Sequence, residues 1–455
     1  FFFYIYYNKT MGGGLMQLVA VGAQDIYLTG NPQITFFKVV YRRHTNFAIE
    51  NIQQTFSGNP VWGQRATAIV SRNGDLINSA YLRVGLPALS ADNWVFTGVS
   101  PSPPISDAVL CWTNYVGLAL ISYVTVEIGG QEIDKHYGLW MYIWQELTMT
   151  SEKASGYKRM VGGNDACGWL LIGNATEPQE LHVPLDFWFN INAGLSLPLI
   201  ALQYHEVRFV FQFRDLSELI VLVDLNGGAH IPKDEWKPLL NTIHAPQIEL
   251  YIDYIYLDTD ERRRFAQMSH EYLIEQVQHN ETSVDLTKPN HTQRLTFNHP
   301  CKELCWVFQR QDNIQEADWF NFANAGPGDE KLGSDILTKA VLRLNGHYRF
   351  NPARSPLYFR QWQPFVHHTR IPDSNLYLYS FALRPEEHQP SGAINFSRID
   401  NSNLEFEIDT SNVVQSPVVP DTSWPNGKNA LMTIYARNYN VLRIMSGMGG
   451  LAYSN

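Results

Sequence analysis

Charge is scarce in this chain. Only 17% of its 455 residues are Asp, Glu, Lys or Arg, against 45% hydrophobic and 13% aromatic, so much of the surface is suited to burial against other chains. The net charge of −10 argues against packaging nucleic acid by direct contact, which calls for basic faces. Cysteine is equally short: Cys111, Cys167, Cys301 and Cys305 are too few and too scattered for a disulfide framework. Cys301 and Cys305 lie in Cys-Lys-Glu-Leu-Cys, a strand-like run without further metal ligands, and read as core thiols. No apolar run approaches the roughly 20 residues of a membrane helix. The apolar opening, Phe1–Tyr7, lacks the charged start and cleavage site of a signal peptide, and residues 1–10 read as an upstream extension before Met11. Met11-Gly12 is no myristoylation signal, because Met16 stands where Ser or Thr is needed. Neither a Gly-x-x-x-x-Gly-Lys-[Ser/Thr] phosphate loop nor a Gly-x-Ser-x-Gly elbow occurs.

What is present is repetition. Pro198-Leu-Ile-Ala-Leu-Gln-Tyr-His-Glu-Val207 returns as Pro390-Ser-Gly-Ala-Ile-Asn-Phe-Ser-Arg-Ile399, matching Pro198 with Pro390, Ala201 with Ala393 and Tyr204 with Phe396. These positions are read as a duplicated strand motif, each copy running into an alternating strand, Arg208–Phe213 and Asn403–Ile408. Val124–Ile128 reaches the turn Gly129-Gly130 as Val341–Leu344 reaches Asn345-Gly346, both dipeptides able to take positive φ. Gln247–Leu257 answers Ala430–Tyr439. Three pairs in one order point to tandem duplication with loops of different length.

Further strands are expected at Ile34–Tyr41, Phe47–Phe56, Ala66–Val70, Leu82–Leu86 and Leu181–Phe189. In the second half they are expected at Glu271–Gln278, Gln293–Phe297, Glu303–Phe308, His347–Phe350 and Tyr377–Leu383. Leu139, Ile143 and Leu147 mark one helical face. Long polar loops fall at Ala88–Leu110, Thr150–Glu180, 214–246, Gln311–Ser334 and Thr410–Asn429. The expected fold is all-β: two tandem eight-stranded jelly-roll sandwiches with long loops and few short helices. The divisions are an arm at 1–33, a first roll at 34–262 and a second roll with a C-terminal tail at 263–455.

Candidate chemistry is thin. A jelly-roll metal enzyme needs His-x-His with a nearby Glu, whereas His367-His368 would point to opposite faces of a strand. His182, His205 and His299 stand singly in expected strands and read as structural residues. Asp186 and Glu206 are an imaginable glycosidase pair, with nothing in the sequence tying them to a cleft. Trp94, Trp169, Trp236 and Trp424 in loops could stack on sugars, giving a glycan-binding surface protein as the alternative reading. Arg262-Arg-Arg264 could touch nucleic acid or lipid, or pair with Asp258, Asp260 and Glu261. Sequons occur at Asn8, Asn174, Asn280, Asn290 and Asn395; Asn174, Asn280 and Asn290 are the candidate glycosylation sites, with Asn395 expected to be inaccessible in a strand.

Long stretches carry a specific resemblance. Gly22–Phe47, Ile128–Tyr137, Leu197–Val207, Gln389–Asp400 and Tyr439–Tyr453 resemble the major capsid proteins of large nucleocytoplasmic DNA viruses, especially those infecting algae. The resemblance implies a double jelly roll whose homotrimer makes a pseudo-hexagonal capsomer. It further implies neighbouring capsomers tiling an icosahedral virion shell, minor capsid proteins beneath it, an inner viral membrane nearby, and assembly in the host cytoplasm. No cofactor, no metal, no catalysis and no direct nucleic-acid contact are implied, and a host glycan is a possible outer partner. The tail Met445–Gly450 is expected to thread along a neighbour or the trimer axis.

Overall fold

The computed structural model describes residues 13–89, 108–163, 177–224, 240, 243–326, 333–410 and 428–453. Residues Phe1–Asn46 form one compact unit and Phe47–Asn455 another. Within the first, short helices at Gly13–Val19 and Ile26–Thr29 are joined by irregular chain, and Tyr27, Phe36, Phe37 and Tyr41 are exposed. The strand expected at Ile34–Tyr41 is not formed. Its apolar residues have no ladder partner, and extended backbone without one leaves its N–H and C=O groups to water.

Among the described residues, sixteen principal strands build the larger unit. Those of the first half are β1 Phe47–Gln54, β2 Arg65–Ile69, β3 Leu76–Leu86, β4 Ile121–Ile128, β5 Gln131–Tyr137, β6 Gln179–Pro184, β7 Val207–Phe213 and β8 Gln247–Leu257. Those of the second are β9 His270–Asp285, β10 Asn290–Arg294, β11 Pro300–Arg310, β12 Leu337–Leu344, β13 His347–Tyr348, β14 Tyr377–Ser380, β15 Ser402–Ile408 and β16 Asn429–Met445. The first half pairs its strands β1-β8-β3-β6 and β2-β7-β4-β5; the second pairs β9-β16-β11-β14 and β10-β15-β12-β13. Each strand of the second half therefore occupies the place of the strand eight earlier, and all these pairings are antiparallel. Two jelly rolls stand in tandem.

Alternation makes the sandwiches. Ile248, Leu250, Ile252 and Tyr254 of β8 face the core, as do Phe209, Phe211 and Phe213 of β7 and Leu404, Phe406 and Ile408 of β15. The β4–β5 and β12–β13 hairpins turn through two residues of positive φ, Gly129 (60°) with Gly130 (82°) and Asn345 (46°) with Gly346 (85°). That geometry matches the strand twist and restricts both sites to Gly or Asn.

Several expectations need correction. The decapeptide repeat is not a strand: Leu197–Pro198 and Ile394–Asn395 make two-residue bridges, followed by 3-10 turns at Leu199–Ala201 and Phe396–Arg398. Pro198 pairs with Leu76 on β3 and Asn395 pairs with Pro300 on β11, so Asn395, rather than Pro390, stands where Pro198 stands. The matched letters do not share environments. Pro198 and Ala201 are buried whereas Pro390 and Ala393 are exposed, and Tyr204 is exposed whereas Phe396 is buried. The strand expected through Phe189 stops at Pro184, and a helical turn follows at Trp188–Ile191. Thr150–Glu180 holds a helix at Ser151–Met160, and the described part of 214–246 holds a strand, Ile220–Asp224, paired with Ala108–Trp112. His367 ends a helix, Gln363–His367, so the two-faced strand argument for His367-His368 does not apply.

A helix at Thr259–Gln267, α2, joins the rolls, and the division expected between residues 262 and 263 falls inside it. Asp258 caps it by accepting from the Thr259 N–H at 2.8 Å. The Arg262 side chain bonds the buried Asp75, at 2.8 Å, rather than the expected Asp258, Asp260 or Glu261. Asp75 also accepts from the Leu257 N–H, so the joining helix is fastened to the first roll.

Candidate assembly surface

The second roll's β9-β16-β11-β14 sheet is buried on both faces. Leu304, Trp306 and Phe308 of β11 and Met432, Ile434 and Ala436 of β16 pack inside their own roll, while Cys305, Val307 and Tyr435 belong to the core of the first. A register shift between Cys301 and Glu303 puts the two strand thiols in different cores, both buried and free. The cover is β5 with the helix that follows it, α1, Gly138–Thr148. Val277 N–H donates to Asp134 at 3.1 Å, Trp140 packs 5.4 Å from Tyr435, and Trp144 lies under the Arg437 guanidinium at 3.8 Å.

A buried charge cluster runs along this seam. Arg437 bonds Glu275 and lies 3.6 Å from Glu303; Lys302 bonds Glu275 at 2.7 Å; His368 sits between Glu303 at 2.8 Å and Glu386 at 3.0 Å. Burial alone raises Glu275, but Arg437, His388 and Lys302 outweigh it and hold the carboxyl at about 2. Burial likewise works against a charged His368, yet Glu303 and Glu386 hold it up to about 9. Arg370 extends the seam, reaching Glu146 of α1 at 3.4 Å and donating its N–H to the Leu147 carbonyl.

The corresponding sheet face of the first roll is open. Tyr81 stacks on Tyr251 with centroids 5.3 Å apart and lies 5.5 Å from His182, while Arg83 bonds Glu180 at 2.7 Å and Glu249 at 2.9 Å. A groove of about 440 Å³ continues past Arg83 along Pro87, Pro178 and His244. The second roll's own helix, α3, Gln363–His367, is entered through a π turn at Tyr358–Trp362. It leaves Trp362, Phe365 and Val366 exposed, with Leu357 before it and Leu383 beside it, the latter receiving His367 on its carbonyl.

The other sequence candidates are dispersed. Asp186 is half-buried, raised to about 6 by desolvation, and accepts from Gln145; Glu206 is exposed and pairs with Arg208 at 2.7 Å. His182 lies in β6, whereas His205 and His299 lie outside strands. Asn290 is exposed, Asn280 is half-buried and bonded to Thr296, and Asn395 is exposed, contrary to its expected inaccessibility. Asn174, Cys167, Trp94, Trp169, Trp236 and Trp424 lie outside the described residues. Among the described residues no three His, Cys, Asp or Glu side chains are grouped to hold a metal ion, and no helix is long and apolar enough to cross a membrane. The tail forms a hairpin from β16 through Ser446-Gly447 to Met448–Leu451. It closes on the chain's own first roll: Tyr204 N–H donates to the Gly447 carbonyl at 2.9 Å, and His205 lies 2.9 Å from the Gly449 carbonyl. The tail expected along a neighbour or the trimer axis makes a clasp between the chain's own rolls.

Residues 35–258 match the family described as "Major capsid protein N-terminus" and residues 261–450 match "Large eukaryotic DNA virus major capsid protein". The major capsid protein of Pyramimonas orientalis virus is 45% identical, covering 98% of this chain and all of the relative. The chain belongs to the large eukaryotic DNA virus major capsid proteins. Another relative, the major capsid protein of Paramecium bursaria Chlorella virus 1, is 40% identical over 98% of this chain and all of its own. A quasi-atomic model of the PBCV-1 virus capsid has a subunit matching 92% of this chain and all of its own at 36% identity, with a TM-score of 0.74.

Sequence reasoning about this capsid protein missed the residues of the seam. Trp140 and Trp144 were readable, since Gly138-Leu-Trp-Met-Tyr-Ile-Trp144 is apolar all round and such a helix is buried on every side. Glu275, Lys302, Glu303 and Arg437 were not, because alternation does not say which other surface covers a sheet.

Proposed function

We propose that the chain is the shell tile of an icosahedral virion: three copies close into a ring of six rolls, and the rings pack side by side. The observation that supports this is the strand order, repeated with every strand shifted by eight. Two equivalent rolls per chain turn threefold symmetry into six near-equivalent faces, which is what a hexagonal lattice needs. The arm at 1–33 then faces inward toward minor capsid proteins and the inner membrane, and the two rolls stand as neighbours in the ring. The role is structural, with no cofactor, no catalysis and no direct nucleic-acid contact. A host glycan remains an outer partner of the loops only. Electron micrographs of the purified, concentrated protein test this reading. Six-lobed particles of hexagonal outline are expected; single-chain or two-fold particles at all concentrations overturn it.

A further inference from the structure

The two rolls dock by a rule that the chain uses once. The first roll lays β5 and α1 on the outer face of β9-β16-β11-β14, burying Trp140 and Trp144 there. In the second roll α3 lies between β13 and β14, the place that α1 holds between β5 and β6. Yet Trp362 is 55% and Phe365 66% exposed. The matching acceptor, the outer face of β1-β8-β3-β6, is also uncovered by the described residues, with the Arg83 side chain 40% exposed. Among the described residues the chain thus holds a donor without an acceptor and an acceptor without a donor.

We infer that these are the two sides of one contact between copies: α3 of one chain packs on the outer β1-β8-β3-β6 face of the next, as α1 packs on β9-β16-β11-β14 within a chain. The inference rests on the shell-tile reading and names the residues that join one copy to another. The chemistry of the two faces agrees. Inside the chain, an arginine flanked by two carboxylates, Arg437 between Glu275 and Glu303, is capped by the Trp144 ring. On the open face, Arg83 is flanked by Glu180 and Glu249 beside the stacked Tyr81 and Tyr251, and has no such cap among the described residues. Trp362 and Phe365 supply the aromatic surface. Glu180, Glu249 and Asp253 leave the open face acidic, and the exposed Arg354, stacked over Tyr358 at the entry to α3, offers the opposite charge. A head-to-tail contact of this kind joins unlike surfaces and closes into a ring when its rotation allows.

The test uses two full-length chains with different tags, one carrying Phe365→Cys and the other Tyr251→Cys, expressed together and oxidised. A disulfide-linked species containing both tags is expected, with none when either variant is expressed alone. Independently, Trp362→Glu with Phe365→Glu is expected to weaken association at least about 100-fold. Both side chains are exposed, so the melting of the dissociated chain is expected to stay unchanged. Assemblies that persist in the Glu variant without the mixed crosslink overturn the contact while leaving the shell-tile reading intact, and so does self-crosslinking of Phe365→Cys. A natural chain that stays single at every concentration overturns both.

Discussion

Replacing Arg437 by Met tests the seam most sharply. The carboxylates Glu275, Glu303 and Glu386 are set against Lys302, His368 and Arg437, with His388 3.8 Å from Glu275, and Arg437 is the one that touches both Glu275 and Glu303. Its removal leaves a buried negative charge uncompensated and strips the cation from Trp144. Breaking such a pair by losing one partner destabilises by about 3–5 kcal/mol. The loss depends on pH with a definite sign. Glu275 is held at about 2 against 4.5 in the unfolded chain, so its contribution is present above 4.5 and lost as pH falls toward 2. Arg437→Met relaxes that depression, and the natural and variant stabilities converge in acid. Urea unfolding followed by tryptophan fluorescence reports the seam directly, since Trp140 and Trp144 lie in it. Arg437→Met with Glu275→Gln is expected to recover part of the loss. A single-variant loss below about 1 kcal/mol at neutral pH, the range of a surface pair, or one that does not change between neutral and acid pH, would refute the reasoning.

The alkaline limit comes from His368, whose folded value of about 9 exceeds the unfolded 6.5. Its contribution, roughly 3 kcal/mol from the size of the shift, is present below 6.5 and lost as pH rises through 9; a pH series of melting temperatures on natural chain and His368→Gln should diverge only below that range. Gly346→Ala meets nothing within 4 Å and suffers only its φ of +85°, about 1 kcal/mol. Gly129→Ala, in the equivalent turn, also drives a Cβ to 2.5 Å from His205 and should lose clearly more in the same urea titration. Gly447→Ala, whose Cβ would stand 2.5 Å from the Tyr204 ring, should open the tail clasp, read as faster hydrogen exchange at the Tyr204 amide.

Much of the fold was legible where local chemistry is restrictive. The Gly129-Gly130 and Asn345-Gly346 turns announced themselves because positive φ admits few residues, and β7, β8 and β15 because alternation survives wherever one face is buried. The decapeptide misled because its segments are bridges and 3-10 turns, which constrain letters weakly; a proline met a proline five residues out of step. Ile34–Tyr41 had the pattern of a strand without a partner to pair with. β11 and β16 show no clean alternation, since each face meets a different core. The seam's charges were invisible for the same reason: nothing in Cys301-Lys-Glu-Leu-Cys305 marks Lys302 and Glu303 as fully buried.

The central claim is that two equivalent rolls in one chain make it a threefold tile. Native mass spectrometry across a concentration series measures this directly. The account predicts a species of three times the 52.0 kDa chain mass that survives dilution; a series containing only one- and two-chain species contradicts it.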